Sequence, residues 1–145
     1  RSAHELSRVG TEPHPRGPLI VTKVESRQAI ENLDAIIGAS AAVMIARGDL
    51  GSEFPVEELP ILQKQVIEKC IAAGLPVMTA TQMLESMVTS PMPTRAEASD
   101  VANAVFDGSS AVMLSAETAI GLHPTQVVAV MSELAEKAAR CMLSP

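Results

Sequence analysis

Residues 41–49 read AAVMIARGD, an apolar run that passes directly into an arginine, a glycine and an aspartate. A short continuous apolar run bounded by polar residues is typical of a strand that is covered on both faces. Three further stretches share this character, and each meets polar residues at its C-terminal end. They are PLIVTKVE (18–25), LPVMTATQ (75–82) and SAVMLSAET (110–118). We therefore expect four buried strands.

Helical patterns follow each of these strands. They are SRQAIENLDAIIGA (26–39), VEELPILQKQVIEKCIAAG (56–74), TRAEASDVANAVFDG (94–108) and HPTQVVAVMSELAEKAARCM (123–142). Thr94 and Glu97 have capping-box spacing, and Gly74 marks the end of the second helix. The strand–helix order, repeated four times, predicts an α/β fold with a parallel sheet. Both a βα-barrel and a doubly wound sheet fit this order, and in either the C-terminal strand ends carry the chemistry.

The number of βα units limits how much of a barrel the chain can form. A (β/α)8 barrel has eight units and typically about 250 residues, whereas this sequence has four units in 145 residues. We expect residues 1–145 to form a single partial domain. Residues 1–18 are predicted to add a short helical segment and a turn-rich link.

Composition excludes several classes of protein. The net charge of −6 and the 1% aromatic content disfavour nucleic-acid binding, because neither a basic patch nor a stacking platform is present. No apolar run reaches the roughly 18 residues that span a bilayer. Cys70 and Cys141 lie in apolar helical patterns and are predicted to be buried hydrophobes rather than metal ligands. With no recognisable signal peptide, a cytoplasmic protein is expected.

Polar residues at the strand ends repeat a spacing of i, i+2. The pairs are Lys23 and Glu25, Arg47 and Asp49, Thr79 and Thr81, and Ser115 and Glu117. On a strand this spacing points both side chains to the same face. Four neighbouring strands would then present these groups at one mouth, which predicts a functional site there.

The chemistry of this set suits a hard cation and an anionic ligand. Glu25 and Asp49 could hold Mg²⁺, which proteins bind through one or two carboxylates plus waters and substrate oxygens. Lys23 would place positive charge where a phosphoryl group or an enolate develops negative charge. Gly48 permits close backbone approach, and its amide and that of Asp49 could receive a carboxylate. Thr81 could position a ligand or a water.

Simpler interpretations remain open for single residues. Lys23 and Glu25 alone would make an ordinary ion pair at the rim, and Glu117 would serve as a helix cap or charge partner. Arg47-Gly48-Asp49 is also the tripeptide that adhesion receptors read on exposed loops. Its position directly after an apolar strand, in a chain without a secretion signal, disfavours that role.

Five motifs, in this order and spacing, resemble the motif series of the pyruvate kinase family. They are KVES (23–26), ARGDLG (46–51), TATQMLESM (79–87), PTRAEASDVANAVFDG (93–108) and MLSAETA (113–119). The resemblance extends from about residue 18 to 142. It implies the C-terminal half of a TIM (β/α)8 barrel, with the nucleotide lid, the C-terminal domain and any K⁺ ligands outside this chain.

The resemblance also implies an activity and its participants. The family transfers a phosphoryl group from phosphoenolpyruvate to ADP, which gives pyruvate and ATP in glycolysis, and its members are usually homotetramers. Mg²⁺ is the expected cofactor and Mn²⁺ an alternative. No nucleic-acid or membrane partner is expected. The isolated chain is expected to be inactive because half of the barrel lies outside it.

Site residues carry over position by position. Glu25 and Asp49 match the metal ligands, Lys23 the lysine that stabilises the phosphoryl group, and Thr81 the substrate-binding threonine near the carbon that is protonated. Gly48 and Asp49 match the backbone that receives the substrate carboxylate, and Arg47 matches an arginine that organises the site. Ala116 and Ser52 depart from the family, which commonly has glycine and an aliphatic residue there.

The sequence leaves two alternative functions open. Metal-dependent aldolases and lyases that act on pyruvate enolate also hold Mg²⁺ with a Glu and an Asp from successive barrel strands. Lys23 beside Glu25 and the long tract after Thr81 favour the kinase. A non-catalytic fragment that binds a partner is the second rival.

Overall fold

A computed structural model describes residues 3–4 and 19–143 of the chain. Its strands are β1 (Val21–Val24), β2 (Ala42–Ala46), β3 (Val77–Ala80) and β4 (Ala111–Met113). They form a four-stranded sheet in the order β1-β2-β3-β4. This order follows the sequence without a reversal, as in a barrel, whereas a doubly wound sheet reverses at a switch point. The link predicted within residues 1–18 lies outside the described residues, and so does the predicted helical segment except for residues 3–4, which are helical.

Helices alternate with the strands, as the sequence predicts. They are α1 (Arg27–Glu31), α2 (Leu33–Gly38), α3 (Arg47–Leu50), α4 (Leu59–Ala72), α5 (Arg95–Phe106), α6 (Ala116–Ala119) and α7 (Pro124–Leu143), with a 3₁₀ helix at Glu85–Val88. In the part of the chain that the structure describes, no helix is both long and apolar enough to cross a membrane.

The first predicted helix, residues 26–39, is wrong in one respect because it is two helices that meet at Asn32. The side-chain amide of Asn32 donates to the carbonyl of Gln28 at 2.8 Å, and Asn32 has φ −107° and ψ 20°. Asparagine side chains compete with the backbone in this way, which ends α1 and starts α2.

The strand predicted over residues 41–49 is also shorter than expected. β2 ends at Ala46, and Arg47–Leu50 form the single helical turn α3. Arg47 and Asp49 therefore lie on a helical turn rather than on a strand. Residues two apart on a helix point to different sides, so the expected common face is wrong for this pair.

Contacts divide the chain into two compact units, Arg1–Met78 and Thr79–Pro145. In the first unit β1 and β2 are parallel, with Val21 beside Ala42 and Val24 beside Ile45. Its core is built almost entirely from aliphatic residues on β1–β3, α1, α2 and α4. The most deeply buried members include Val24, Val43, Ile45, Ile36, Ile67, Cys70 and Val77. This packing fixes where β1 and β2 end, and hence where the first unit's polar residues lie.

The second unit has its own core under α5 and α7, formed by Met83, Leu84, Met87, Val101, Ala104, Val127 and Met131. The predicted capping box at the start of α5 is confirmed. The amide of Glu97 donates to Oγ1 of Thr94 at 3.2 Å, and the amide of Thr94 donates to Oε2 of Glu97 at 2.7 Å. Cys70 is buried as predicted, but Cys141 is exposed near the end of α7, so its predicted burial is wrong.

Candidate functional site

Lys23 joins the ends of two neighbouring strands in the first unit. Its ammonium nitrogen lies 2.5 Å from Oε2 of Glu25 and 3.5 Å from Oδ2 of Asp49. Glu25 directly follows β1, whereas Asp49 lies on α3, directly after β2. The parallel register of β1 and β2 brings these two connections to the same edge. Three of the predicted site residues thus meet, as the strand-end argument expects.

The charges at this point favour a protonated lysine. The hydrogen bond to Glu25 is the largest effect on Lys23 and raises its pKa above the ordinary value. Burial is the next largest effect and lowers the pKa, while the charges of Glu25 and Asp49 raise it again. All three side chains are about half exposed. The ammonium therefore remains charged at neutral pH and partly neutralises both carboxylates, and water or a ligand can reach them.

The donor set fits a magnesium ion that is completed by other ligands. Among the described residues, no group of three or more His, Cys, Asp or Glu side chains could form a full metal cage. Mg²⁺ does not need one, because it is usually bound through one or two carboxylates and keeps waters or substrate oxygens. Glu25 and Asp49, which share Lys23 as a partner, are the two carboxylates that would contribute to such a partial site.

Arg47 is held by α4 rather than aligned with Asp49. Its Nη1 donates to Oε1 of Gln63 at 3.3 Å, and Gln63 is only 6% exposed. The side chain of Asp49, by contrast, lies beside Lys23. Gly48 sits between them within α3. Arg47 thus contacts α4, whereas Asp49 contacts Lys23 on β1.

Thr81, in the second unit, has an unusual backbone. It directly follows β3 and has φ 69°, and the next residue, Gln82, has φ 56°. A β-branched residue at positive φ is a genuine outlier, and such strain costs of the order of 1–3 kcal/mol. The hydroxyl of Thr81 donates to the carbonyl of Ala80 at 2.6 Å. Backbone strain of this kind clusters at active sites and ligand-binding positions.

The sequence suggests for Glu117 only the role of a helix cap or charge partner, but the structure gives it a larger structural role. It is fully buried, and its carboxylate accepts hydrogen bonds from the amides of Leu84 at 3.1 Å and Ser115 at 2.8 Å. It thereby ties the segment after Thr81 and Gln82 to the start of α6. The only sequence signal is an acidic residue among small residues after a strand, which is equally typical of an exposed helix cap.

The other polar strand-end residues have structural roles. Thr79 is fully buried, and its hydroxyl pairs with that of Ser109 at 2.7 Å within the second unit. Ser115 precedes α6 and its carbonyl accepts from the hydroxyl of Thr118 at 3.2 Å. Both contacts connect the backbone or the core, so these two residues belong to the scaffold.

Residues 1–128 match the family profile described as "Pyruvate kinase, barrel domain". The chain belongs to the pyruvate kinase family. It is 51% identical over 136 residues to a pyruvate kinase of Leishmania mexicana, which covers 92% of this chain and 27% of the relative. It is 56% identical over 116 residues to a pyruvate kinase of Sporosarcina psychrophila, which covers 80% of this chain and 20% of the relative. The resemblance drawn from the five motifs is confirmed.

Solved structures agree with the sequence relatives. A pyruvate kinase from Cryptosporidium parvum has a TM-score of 0.89 and 44% identity, over 97% of this chain and 30% of that one. The parallel sheet with alternating helices is therefore part of a TIM barrel of this family. The chain spans about a fifth to just over a quarter of the length of the curated relatives described above.

Proposed function

We propose that this chain forms part of a pyruvate kinase active site, which transfers a phosphoryl group from phosphoenolpyruvate to ADP and yields pyruvate and ATP. The observation that carries the proposal is the meeting of Lys23 with both Glu25 and Asp49 in a chain of this family. The proposal includes the glycolytic, cytoplasmic setting and the homotetrameric state that the family resemblance implies.

Each residue near Lys23 has a distinct proposed role. Glu25 and Asp49 would hold Mg²⁺, or Mn²⁺ in its place, and the bound cation would withdraw charge from a phosphoryl or enolate oxygen. The hydrogen bond to Glu25 and the charges of Glu25 and Asp49 raise the pKa of Lys23, which favours its charged form. Its role is therefore to stabilise the negative charge of the phosphoryl group during transfer.

The remaining site residues would bind and orient the substrate. The backbone of Gly48 and Asp49 would receive the substrate carboxylate, and Arg47, held through Gln63, would keep that turn in place. Thr81 would position the substrate near the carbon that receives a proton. The nucleotide lid and any K⁺ ligands would come from parts of the enzyme outside this chain, so we expect this chain by itself to lack turnover.

A segment exchange tests the proposed activity. Residues 19–143 replace the matching segment of the Sporosarcina psychrophila enzyme, and pyruvate formation is measured by coupling to lactate dehydrogenase. We expect ADP-dependent activity, and we expect Glu25→Gln to reduce it by at least about 100-fold because one of two protein ligands loses its charge. Glu68→Gln, at an exposed position on α4, is the matched control and should be neutral.

Three results would count against the proposal. A folded exchanged enzyme whose activity does not depend on Glu25 would remove the metal assignment. Cleavage of oxo-acids in place of phosphoryl transfer would favour the aldolase or lyase. Formation of pyruvate by the 145-residue chain alone would show that the parts assigned to the rest of the enzyme are dispensable.

A further inference from the structure

Arg27 and Glu53 connect the start of α1 to the segment that follows α3. The amide of Arg27 donates to Oε2 of Glu53 at 2.5 Å, and Nη2 of Arg27 donates to the backbone carbonyl of Glu53 at 2.7 Å. The guanidinium carbon of Arg27 also lies 4.2 Å from the centre of the Phe54 ring. Each residue thus uses both its main chain and its side chain, and the stacked ring adds a third contact.

The segment of Glu53 and Phe54, at one end of this connection, is held by the hydrophobic core. Phe54 is only 8% exposed and packs in the hydrophobic cluster of the first unit. The amides of Glu53 and Phe54 both donate to the carbonyl of Leu50 at 3.0 Å. Glu53 and Phe54 therefore continue directly from α3, the turn that carries Asp49.

Local helix preferences do not account for Arg27. A positive side chain at the first position of a helix faces the positive end of the helix dipole, which is unfavourable. The first turn of α1 carries no acidic residue, and Ser26 already caps it by accepting from the amide of Ala29. The carboxylate at the start of α1 comes instead from Glu53, 26 residues further along the chain, and it accepts from the backbone amide of Arg27 while the guanidinium donates to the carbonyl of Glu53.

We propose that Arg27, Glu53 and Phe54 form a positioning bridge that sets the separation of Glu25 and Asp49. Arg27 lies two residues after Glu25, and Glu53 lies four residues after Asp49, so the bridge joins the two segments that carry the candidate metal ligands. This inference rests on the proposed function, because its consequence is the geometry of the metal pair. None of the three bridge residues is expected to touch the substrate or the cation.

The expected effect is on cation affinity more than on stability. Exposed polar pairs contribute little to folding, whereas residues that orient metal ligands commonly alter affinity by about 10- to 100-fold. Because the bridge acts through the backbone rather than directly on the carboxylates, we expect the lower end, about tenfold. The three contacts should also be interdependent, since each holds the same two segments.

The test titrates Mn²⁺ into the 145-residue chain and measures free Mn²⁺ by electron paramagnetic resonance. Arg27→Ala should weaken binding by about tenfold with little change in the thermal midpoint. Removing a positive charge near a cation site would by itself tighten binding, so weakening has the opposite sign from a general electrostatic effect. Lys69→Ala is the matched control, because it removes an exposed cation that pairs with Asp34 at 2.6 Å in the same unit.

Further variants keep the test decisive if Arg27→Ala does not fold. Arg27→Lys keeps the charge but loses the planar group that stacks on Phe54, and should also weaken Mn²⁺ binding. Phe54→Leu keeps a core side chain and removes the ring. In the double variant Arg27→Ala/Phe54→Leu, the loss of Mn²⁺-binding free energy should be smaller than the sum of the losses in the two single variants, because both changes break the same bridge.

The outcomes separate the bridge from the proposed function. If the unaltered chain binds Mn²⁺ and loses it with Glu25→Gln, while Arg27→Ala or Arg27→Lys binds as tightly as the unaltered chain, the bridge is overturned and the metal site stands. If the unaltered chain does not bind Mn²⁺, the metal assignment fails and the positioning role falls with it. Weaker binding in the Arg27 variants with unchanged binding in Lys69→Ala supports both.

Discussion

Nζ of Lys23 lies 3.5 Å from Oδ2 of Asp49, although Lys23 belongs to β1 and Asp49 to α3, the helical turn after β2. The same nitrogen also contacts Glu25 at 2.5 Å. One ammonium thus serves two carboxylates, which distinguishes this cluster from the ordinary rim ion pair that the sequence leaves open. It also places a positive charge beside the proposed cation site.

This arrangement predicts opposite effects of Lys23→Met on binding and on catalysis. We expect Mn²⁺ binding by the chain to tighten by up to about 30-fold, because a unit charge at about 4 Å would oppose a divalent cation by about 2 kcal/mol in water. Phosphoryl transfer by the exchanged enzyme should fall, since the charge that stabilises the phosphoryl group is lost. Mn²⁺ titration and the coupled assay measure the two effects.

Lys69→Met is the control for Lys23→Met, because it removes another exposed lysine that pairs with a carboxylate. It should leave both quantities unchanged. Weaker Mn²⁺ binding in Lys23→Met would mean that the ammonium organises the two carboxylates rather than opposing the cation. Unchanged phosphoryl transfer would remove Lys23 from the catalytic group.

The lowered pKa of Glu97 predicts that the fold loses stability in acid. Partial burial by itself would raise the pKa of Glu97, but hydrogen bonds from Ser86 and Thr94 outweigh it and lower the pKa below its ordinary value of 4.5. A carboxyl group with a lowered folded-state pKa stabilises the fold above its unfolded pKa, and this contribution is lost as pH falls through the folded-state pKa.

We therefore expect Glu97→Gln to be less stable than the unaltered chain at pH 7, and we expect this difference to become smaller as the pH is lowered from 7 to 3. Urea unfolding at the two pH values, followed by circular dichroism, measures the difference. Glu85→Gln, at an exposed position in the 3₁₀ helix, is the control and should show no such convergence. A difference between Glu97→Gln and the unaltered chain that is as large at pH 3 as at pH 7 would assign the effect to shape rather than to charge.

The sequence predicts the order of strands and helices better than it predicts the geometry of the candidate site. Continuous apolar runs and helix signals depend on local sequence, so the strand–helix order and the capping box of Thr94 and Glu97 are confirmed. The break at Asn32 and the helical turn at Arg47–Leu50 depend on competition between side-chain and backbone hydrogen bonds and on where a strand ends. The pattern of apolar residues predicts neither the helix break nor the helical turn.

The candidate site shows the same division. Lys23, Glu25 and Asp49 meet because parallel strands end at the same edge, which a strand-end rule captures. Arg47 instead contacts Gln63 on α4, and Glu117 turns inward to two amides. The Arg47–Gln63 and Glu117–Leu84 contacts join residues 16 and 33 positions apart in sequence, and no local spacing predicts them.

The buried carboxylate of Glu117 predicts a large effect on stability. Glu117→Ala removes the acceptor of the Leu84 and Ser115 amides and should lower the free energy of unfolding by about 2–4 kcal/mol, because buried donors lose their partners. Glu117→Gln keeps one acceptor oxygen and should cost roughly half as much. Urea unfolding checks both.

Glu133→Ala is the matched control for Glu117→Ala, since Glu133 is an exposed glutamate on α7. It should change the free energy of unfolding by no more than about 0.5 kcal/mol. If Glu117→Ala were equally mild, water would be satisfying the two amides, and Glu117 would not be what holds the segment after Thr81.

The positive φ of Thr81 predicts that stability and activity can be separated at this residue. Thr81→Gly relieves the backbone strain and should be about 1 kcal/mol more stable than Thr81→Ala, which keeps a Cβ in the same conformation. Urea unfolding of the two variants measures this difference. Thr81→Ser keeps the hydroxyl with a smaller side chain.

In the exchanged enzyme, only Thr81→Ser should keep substantial pyruvate formation, since the proposed role of Thr81 requires the hydroxyl. Thr81→Gly and Thr81→Ala should both form pyruvate more slowly, although Thr81→Gly is expected to be the more stable of the two. Full activity in Thr81→Gly would mean that the hydroxyl is dispensable and that the strain is a feature of the fold alone. Equal stability of the Gly and Ala variants would instead mean that the conformation of Thr81 stores no strain that Cβ removal relieves.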